Sequence, residues 1–271
     1  MQDWPQRVVL ITGASRGLGL HLAGKFAQRS ARLVLVARQP EQLFTAAAGL
    51  GLSADRCLIL PADVTDDASV ASLFAQINQH FGQLDVLVNC AGASQRGLIA
   101  QTPLADFERL WRLNVLGVVR MCQGALPLLT VSQGTIVNIG SLAGKLAARY
   151  LGAYCATKHA LAGLSQQMRL ELAPTGVRVL HVCPGPIRRD DAGARYAEQG
   201  AGLPPQASKP GAGVKLSGMD PAWLAEQIVR GVEKRQPELV FPWRARLLMA
   251  ISALAPRWGD WLIGKMTSGP P

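Results

Sequence analysis

The sequence predicts a doubly wound α/β fold: one parallel sheet of strands with helices on both faces. Three observations in this chain of 271 residues carry that reading. Short β-branched and aliphatic runs recur through the first 185 residues, segments with apolar spacing of three and four separate them, and a glycine-rich turn follows the first run directly. Runs apolar at nearly every position belong to strands buried on both faces. Strands separated by helices pair in parallel through right-handed crossovers.

In order, residues 7–12 form the first predicted strand, and apolar positions over 19–29 form the helix that returns the chain to the sheet. Residues 32–37 and 56–60 read as the next two strands, with a helix at 68–81 leading to a fourth at 84–89. A long apolar helix at 107–129 precedes the strand 135–139, and an alanine-rich helix containing Tyr154 and Lys158 precedes the strand 177–183. The pattern then fails over 184–219, which is rich in Gly, Ala and Pro. A segment of that length in a compact domain is expected to be a lid or binding loop. Asp220 caps a helix to residue 235 with Pro221 at its first position, and 238–241 is a candidate last strand. No repeat or internal linker divides the chain, so residues 1–271 read as one domain.

Composition bounds the function. Hydrophobic residues make up 49% and charged residues 17%, the balance of a globular protein with a large core. The net charge of +10 is spread along the chain without long Lys/Arg runs, which argues against sequence-specific nucleic-acid binding. Five cysteines without C-x-x-C spacing read as reduced thiols of a cytoplasmic protein. His21, His80, His159 and His181 lack metal-ligand spacing, so no metal is expected. The first residues lack an apolar signal core, and no stretch is expected to be apolar enough to span a bilayer.

The turn reads Thr12-Gly13-Ala14-Ser15-Arg16-Gly17-Leu18-Gly19. Glycines permit its tight path and the close approach of a pyrophosphate, which the following helix N-terminus attracts. Gly13, Ser15, Arg16, Gly17, Leu18 and Gly19 are therefore candidate dinucleotide contacts. The second strand ends in Ala37-Arg38, without the acidic residue that would bind free ribose hydroxyls. Arg16 and Arg38 suit a 2′-phosphate instead, so the expected cofactor is NADP. Tyr154 and Lys158, four apart, stack on one helix face, where a fixed ammonium favours the phenolate of a proton donor and acceptor.

These motifs resemble, in order and spacing over residues 7–190, the short-chain dehydrogenase/reductase family in its single-domain form. They are Thr12-Gly13-x-x-x-Gly17-x-Gly19, Asp63-Val64, Asn89-Cys90-Ala91-Gly92, Asn114, Ser141, Tyr154-x-x-x-Lys158 and Pro184-Gly185. The resemblance implies a Rossmann-type fold in which Asp63 and Val64 meet the adenine and Asn89, Ala91 and Gly92 shape the sheet edge under the cofactor. It implies a tetrad of Asn114, Ser141, Tyr154 and Lys158. Tyr154 would exchange the proton, Ser141 would hold the reacting oxygen, and Lys158 would lower the Tyr154 pKa and bind ribose. Asn114 would hold a helix irregularity and a water on the proton path. Tyr154, Lys158, Pro184, Gly185 and the backbone of Ile187 would face the nicotinamide. Two departures stand out: Cys90 replaces a usual Asn, and Arg188-Arg189 replace a usual Thr. For the two arginines, a cofactor phosphate, an acidic substrate and solvent all remain open.

Residues 243–265 are apolar, rich in Trp and flanked by basic residues, and Pro256 divides them into two short helices. This ending is similar to that of membrane-associated steroid or lipid-type reductases. It reads as peripheral membrane contact, a subunit interface or a pocket cover. The whole is expected to be an NADP(H)-dependent oxidoreductase interconverting an alcohol and a carbonyl on a hydrophobic small molecule. It is expected to form a homodimer or homotetramer through the helices around 104–130 and 151–172, with Tyr150 and Leu151 near the substrate. An NADP-binding sensor without turnover and a lipid-binding protein with a vestigial site are the alternatives.

Overall fold

The strands β1 (Val8–Thr12), β2 (Arg32–Ala37), β3 (Cys57–Pro61), β4 (Val86–Asn89), β5 (Thr135–Ile139), β6 (Arg178–Pro184) and β7 (Glu238–Phe241) form one seven-stranded sheet in a computed structural model of the chain. The structure describes residues 4–189, 196, 199–200, 202–214 and 216–267. The strand order is β3-β2-β1-β4-β5-β6-β7 and every pairing is parallel. Winding therefore reverses between β1 and β4, and ligands in open α/β sheets sit in the crevice at the strand ends where that happens.

Alternating side chains feed two cores. Val9, Ile11, Leu33 and Leu35 face α1 (Gly17–Gln28), α2 (Pro40–Ala48) and α7 (Pro221–Glu233). Val8, Leu10, Val34 and Val36 face α3 (Asp67–Phe81), α5 (Gly117–Ser132) and α6 (Tyr154–Leu172). This two-sided burial is why the strands read as unbroken apolar runs. α2 was not marked by the apolar spacing, because only Leu43 and Ala47 of its nine residues are buried. Asp220 caps α7 as expected, accepting from the Trp223 amide at 2.8 Å.

The long apolar helix is α4 (Leu104–Trp111), a π-turn over Arg112–Leu116, and α5, running without a break to Ser132. By length and composition this continuous helix is apolar enough to cross a membrane, with a mean hydropathy of 1.5 in its richest window. The expectation that no stretch reaches that level is corrected. In the fold, Val118, Met121, Cys122, Ala125 and Leu129 of α5 pack into the core beside β4 and β5.

Residues 190–195, 197–198, 201 and 215 of the expected pocket-covering segment lie outside the described residues. The described part contains two short 3-10 turns, Pro205–Ser208 and Pro210–Gly213. Beyond β7, α8 (Ala245–Leu254) and α9 (Pro256–Thr267) form a hairpin divided at Pro256. Gly259 makes it tight: a Cβ there would lie 2.6 Å from the Ser252 Cα.

Candidate active site

At the C-terminal ends of β1, β4 and β5 the backbone builds a cradle. Gly13 and Gly17 have φ of 68° and 56°, a region that glycine enters without steric penalty. A Cβ on Gly13 would lie 3.0 Å from the Ala91 backbone, whereas one on Gly17 would meet open space. Arg16 stands at the N-cap of α1 without a side-chain cap hydrogen bond, so no capping side chain occupies the first amides of that helix. An exposed glycine backbone at an uncapped N-terminus fits a pyrophosphate. Ser15 is half-buried in this turn, Leu18 and Gly19 are buried, and Arg16 and Arg38 are exposed above it.

Thr12 fastens the cradle to the sheet. Its hydroxyl oxygen accepts from the amides of Cys90 and Ala91, each at 3.0 Å, and donates to the Val88 carbonyl at 3.3 Å. The Asn89 amide turns into the core, donating to Asn138 Oδ1 at 2.9 Å and approaching Cys122 Sγ at 3.4 Å. Asn138 continues to Ser165 Oγ at 3.0 Å, tying the floor of the site to α6. Asp63 accepts from the amide and hydroxyl of Thr65, each at 2.8 Å, and Val64 is buried against Gly117.

Ser141, Tyr154 and Lys158 stand together on the other side. Tyr154 is the first residue of α6 and Lys158 follows one turn later, with its ammonium 5.8 Å from the Tyr154 ring centroid. Burial raises the Tyr154 pKa, while a hydrogen bond with Ser141 and the charge of Arg189 pull it down. Lys158 is buried, and its Nζ donates to the Ile139 carbonyl at 2.8 Å. On balance the Tyr154 pKa is raised, because burial outweighs the lowering by Ser141 and Arg189. Burial in turn brings the Lys158 pKa down to about 8. Ser141 Oγ also accepts from the Ala143 amide at 3.1 Å, which fixes its loop.

Asn114 occupies the middle of the π-turn. It is buried, accepts from the Ala93 amide at 3.0 Å, and donates to the Ala93 carbonyl at 2.9 Å and to Thr157 Oγ1 at 3.1 Å. The helix irregularity expected at Asn114 is that π-turn. A Cβ on Gly92 would sit 3.1 Å from Asn114 Oδ1 and 3.9 Å from Lys158 Nζ, so Gly92 keeps this corner open.

Tyr154, Ser141 and Lys158 face a mostly apolar cavity of about 490 Å³, together with Gly92, Pro184, Gly185 and Ile187. Leu151 lines the cavity, while Tyr150, in left-handed backbone at φ 62°, is not part of its wall. The two arginines after Ile187 separate: Arg188 pairs with Asp220 at 2.7 Å on the surface, and Arg189 lines the cavity. Cys90 is also on the wall, with its thiol pushed up to about 11 by burial.

Reading by motif missed the far wall. Ser94 and Tyr196 share a 2.6 Å hydrogen bond, and the Arg96 guanidinium stacks 3.7 Å from the Tyr196 ring centroid. These residues lie a hundred positions apart in irregular segments, where no periodicity marks them. The inner faces of α8 and α9 close the cavity through Leu248, Ile251, Ile263 and Met266, so the pocket-cover expectation for this segment agrees with its position.

A family model described as short chain dehydrogenase matches residues 7–199. The ketoacyl reductase HetN of Nostoc sp. is 29% identical over 258 residues, covering 92% of this chain and 85% of its own. The 2-(R)-hydroxypropyl-CoM dehydrogenase of Xanthobacter autotrophicus is 37% identical over 186 residues, 67% of this chain and 74% of its own. The crystal structure of a short-chain dehydrogenase from Streptomyces avermitilis superposes with a TM-score of 0.78 at 29% identity, covering 96% of this chain and 98% of that one.

Proposed function

The chain belongs to the short-chain dehydrogenase/reductase family, and we propose that it is an NADP(H)-dependent oxidoreductase interconverting an alcohol and a carbonyl on a hydrophobic small molecule. The observation that carries this reading is the placement of Tyr154 and Ser141 on the wall of one apolar cavity, with the Lys158 ammonium 5.8 Å from the Tyr154 ring centroid. When bound, the nicotinamide supplies or accepts the hydride. In reduction, Tyr154 donates its proton to the carbonyl oxygen, and Ser141 hydrogen-bonds that oxygen and orients it. The phenolate left on Tyr154 is favoured by Ser141, Arg189 and the nearby Lys158 charge. Asn114 holds Ala93 and Thr157, the residue before Lys158, in place, and the apolar wall keeps bulk water from the reacting oxygen.

Arg16 and Arg38 support the choice of NADP, since both are exposed and β2 ends in Ala37-Arg38 in place of an acidic residue. Exposed Leu104, Trp111 and Leu116 on α4 and its π-turn, with Leu170 on α6, support a homodimer or homotetramer through these helices. Five unpaired thiols are consistent with a cytoplasmic location. The test is NADPH oxidation against a panel of ketones, quinones and aldehydes, with Tyr154→Phe as control. Turnover by the wild type that falls about a thousandfold in Tyr154→Phe, while NADPH still binds, is the expected result. Tight NADPH binding with no turnover on any carbonyl, and no difference between the two proteins, would replace the enzyme reading with a sensor.

A further inference from the structure

The α8–α9 hairpin has two unlike faces. Its inner face walls the cavity through Leu248, Ile251, Ile263 and Met266. Its outer side exposes Leu254 (87%), Trp258 (66%) and Trp261 (51%), and Trp243 (71%) stands just before α8. Trp258, Trp261 and Lys265 fall three and four residues apart, on one helix face. There Trp258 meets Trp261 edge-on at 6.1 Å, and the Lys265 ammonium lies 3.9 Å from the Trp261 ring centroid. Arg244, Arg246, Arg257 and Lys265 are all exposed, and Asp260 is the one acidic residue between 243 and 267.

We infer that this hairpin rests on an anionic lipid bilayer, with its tryptophan side in the headgroup region, and that the cavity behind it takes an alcohol or carbonyl compound dissolved in that bilayer. Exposed apolar area of this size marks a contact surface, and its chemistry selects the partner. Indole rings favour the membrane–water boundary, where an apolar ring and a hydrogen-bonding N–H are both accommodated. Basic residues beside them add attraction to anionic headgroups. A second copy fits poorly, because a symmetric contact would set the exposed basic residues of one hairpin, Arg257 and Lys265 among them, against those of the other. The continuity of the outer side with the cavity wall gives the consequence for substrate: a lipophilic molecule moves from bilayer to Tyr154 along one hairpin. The substrate half of this inference rests on the proposed oxidoreductase function, and the bilayer half does not.

The experiment uses the full chain and the variant Trp243→Ser/Leu254→Ser/Trp258→Ser, whose three positions are exposed and lie outside the cavity wall. Co-sedimentation is measured with phosphatidylcholine vesicles and with vesicles containing equal parts phosphatidylglycerol, at low and high salt. Binding to the anionic vesicles at low salt, weakened about tenfold or more by high salt, by omission of phosphatidylglycerol or by the triple substitution, is expected. Absence of binding to anionic vesicles at low salt overturns the inference. So does a hairpin face that instead holds a dimer dissociated by the same substitutions. In a second arm, turnover of a lipophilic carbonyl held in vesicles is compared with that of a water-soluble one. The variant is expected to lose only the vesicle-borne reaction, and equal rates with wild type would refute entry from the bilayer. No turnover of either carbonyl would refute the oxidoreductase reading while leaving the vesicle result standing.

Discussion

The side-chain amide of Asn114 donates to Thr157 Oγ1 at 3.1 Å, joining the π-turn to the helix that carries both Tyr154 and Lys158. The same amide group brackets Ala93 through its backbone N–H and carbonyl. Asn114→Ala would leave those buried groups without partners, at about 1–3 kcal/mol for such a set. A drop of several degrees in thermal midpoint is expected, together with loss of turnover as Ala93 and Thr157 lose their support. An unchanged midpoint would show that the π-turn does not depend on these bonds.

Lys158 sets a stability change against function. Its folded pKa of about 8 lies below the ordinary 10.5, because burial disfavours the ammonium. Between these values the unfolded chain holds a proton that the folded chain has released, so stability from this group rises with pH over that window. Below pH 8 the buried charge is a full penalty, on the order of 3 kcal/mol by the free energy of such a shift. Lys158→Met is therefore expected to raise the thermal midpoint of the ligand-free protein at pH 7 while abolishing turnover. Its advantage over wild type should shrink as pH rises from about 8 toward 10.5. A pH-independent difference would contradict the buried-ammonium account.

His181 acts with the same sign in a more acidic window. It is buried on β6 against Gly140, and neither ring nitrogen has a hydrogen-bond partner among the described residues. Burial, with Lys145 nearby, lowers its pKa to about 4. As pH falls below the ordinary 6.5, the unfolded imidazole takes up a proton that the folded one refuses until about 4. Stability contributed by the neutral ring is complete above pH 6.5 and declines between those values, by on the order of 3 kcal/mol. His181→Leu should flatten this acid limb in thermal melts recorded between pH 7 and 4. A limb of equal depth in both proteins would assign acid sensitivity to other groups.

Much of this architecture was legible because single elements carried redundant signals. β1 is apolar at every position and runs into Gly13, and Asp220-Pro221 marks the start of α7 in two residues. Tyr154, Lys158 and Ser141 could be placed together because the motif order fixes which strand ends they follow. The Ser94–Tyr196 contact and the Arg96 stack could not be read, since they join irregular segments a hundred residues apart. Nor could the Lys158–Ile139 bond, which depends on how deeply α6 packs against β5 and not on any spacing. The two faces of α8 and α9 were visible as composition, but which face met the cavity required the fold.

Arg16 and Arg38 carry the cofactor prediction. Arg16 holds extended backbone, φ −164°, at the start of α1, and Arg38 follows the last residue of β2. β1 and β2 pair in register from Val8↔Arg32 to Thr12↔Val36, and the Ala14 amide donates to the Val36 carbonyl at 3.1 Å. That pairing brings the glycine turn and the end of β2 to one edge, where two planar guanidinium forks can grip a phosphate bidentately. A hydrogen bond from a charged donor contributes about 1.5–3 kcal/mol, so Arg16→Ala and Arg38→Ala should each weaken NADPH binding by roughly ten- to a hundredfold. NADH, lacking the 2′-phosphate, should bind both variants nearly as it binds wild type. Titration of the four cofactor–protein pairs by reduced-nicotinamide fluorescence measures this directly. Equal affinity of the wild type for NADH and NADPH would remove both arginines from cofactor selection and leave them as surface charges.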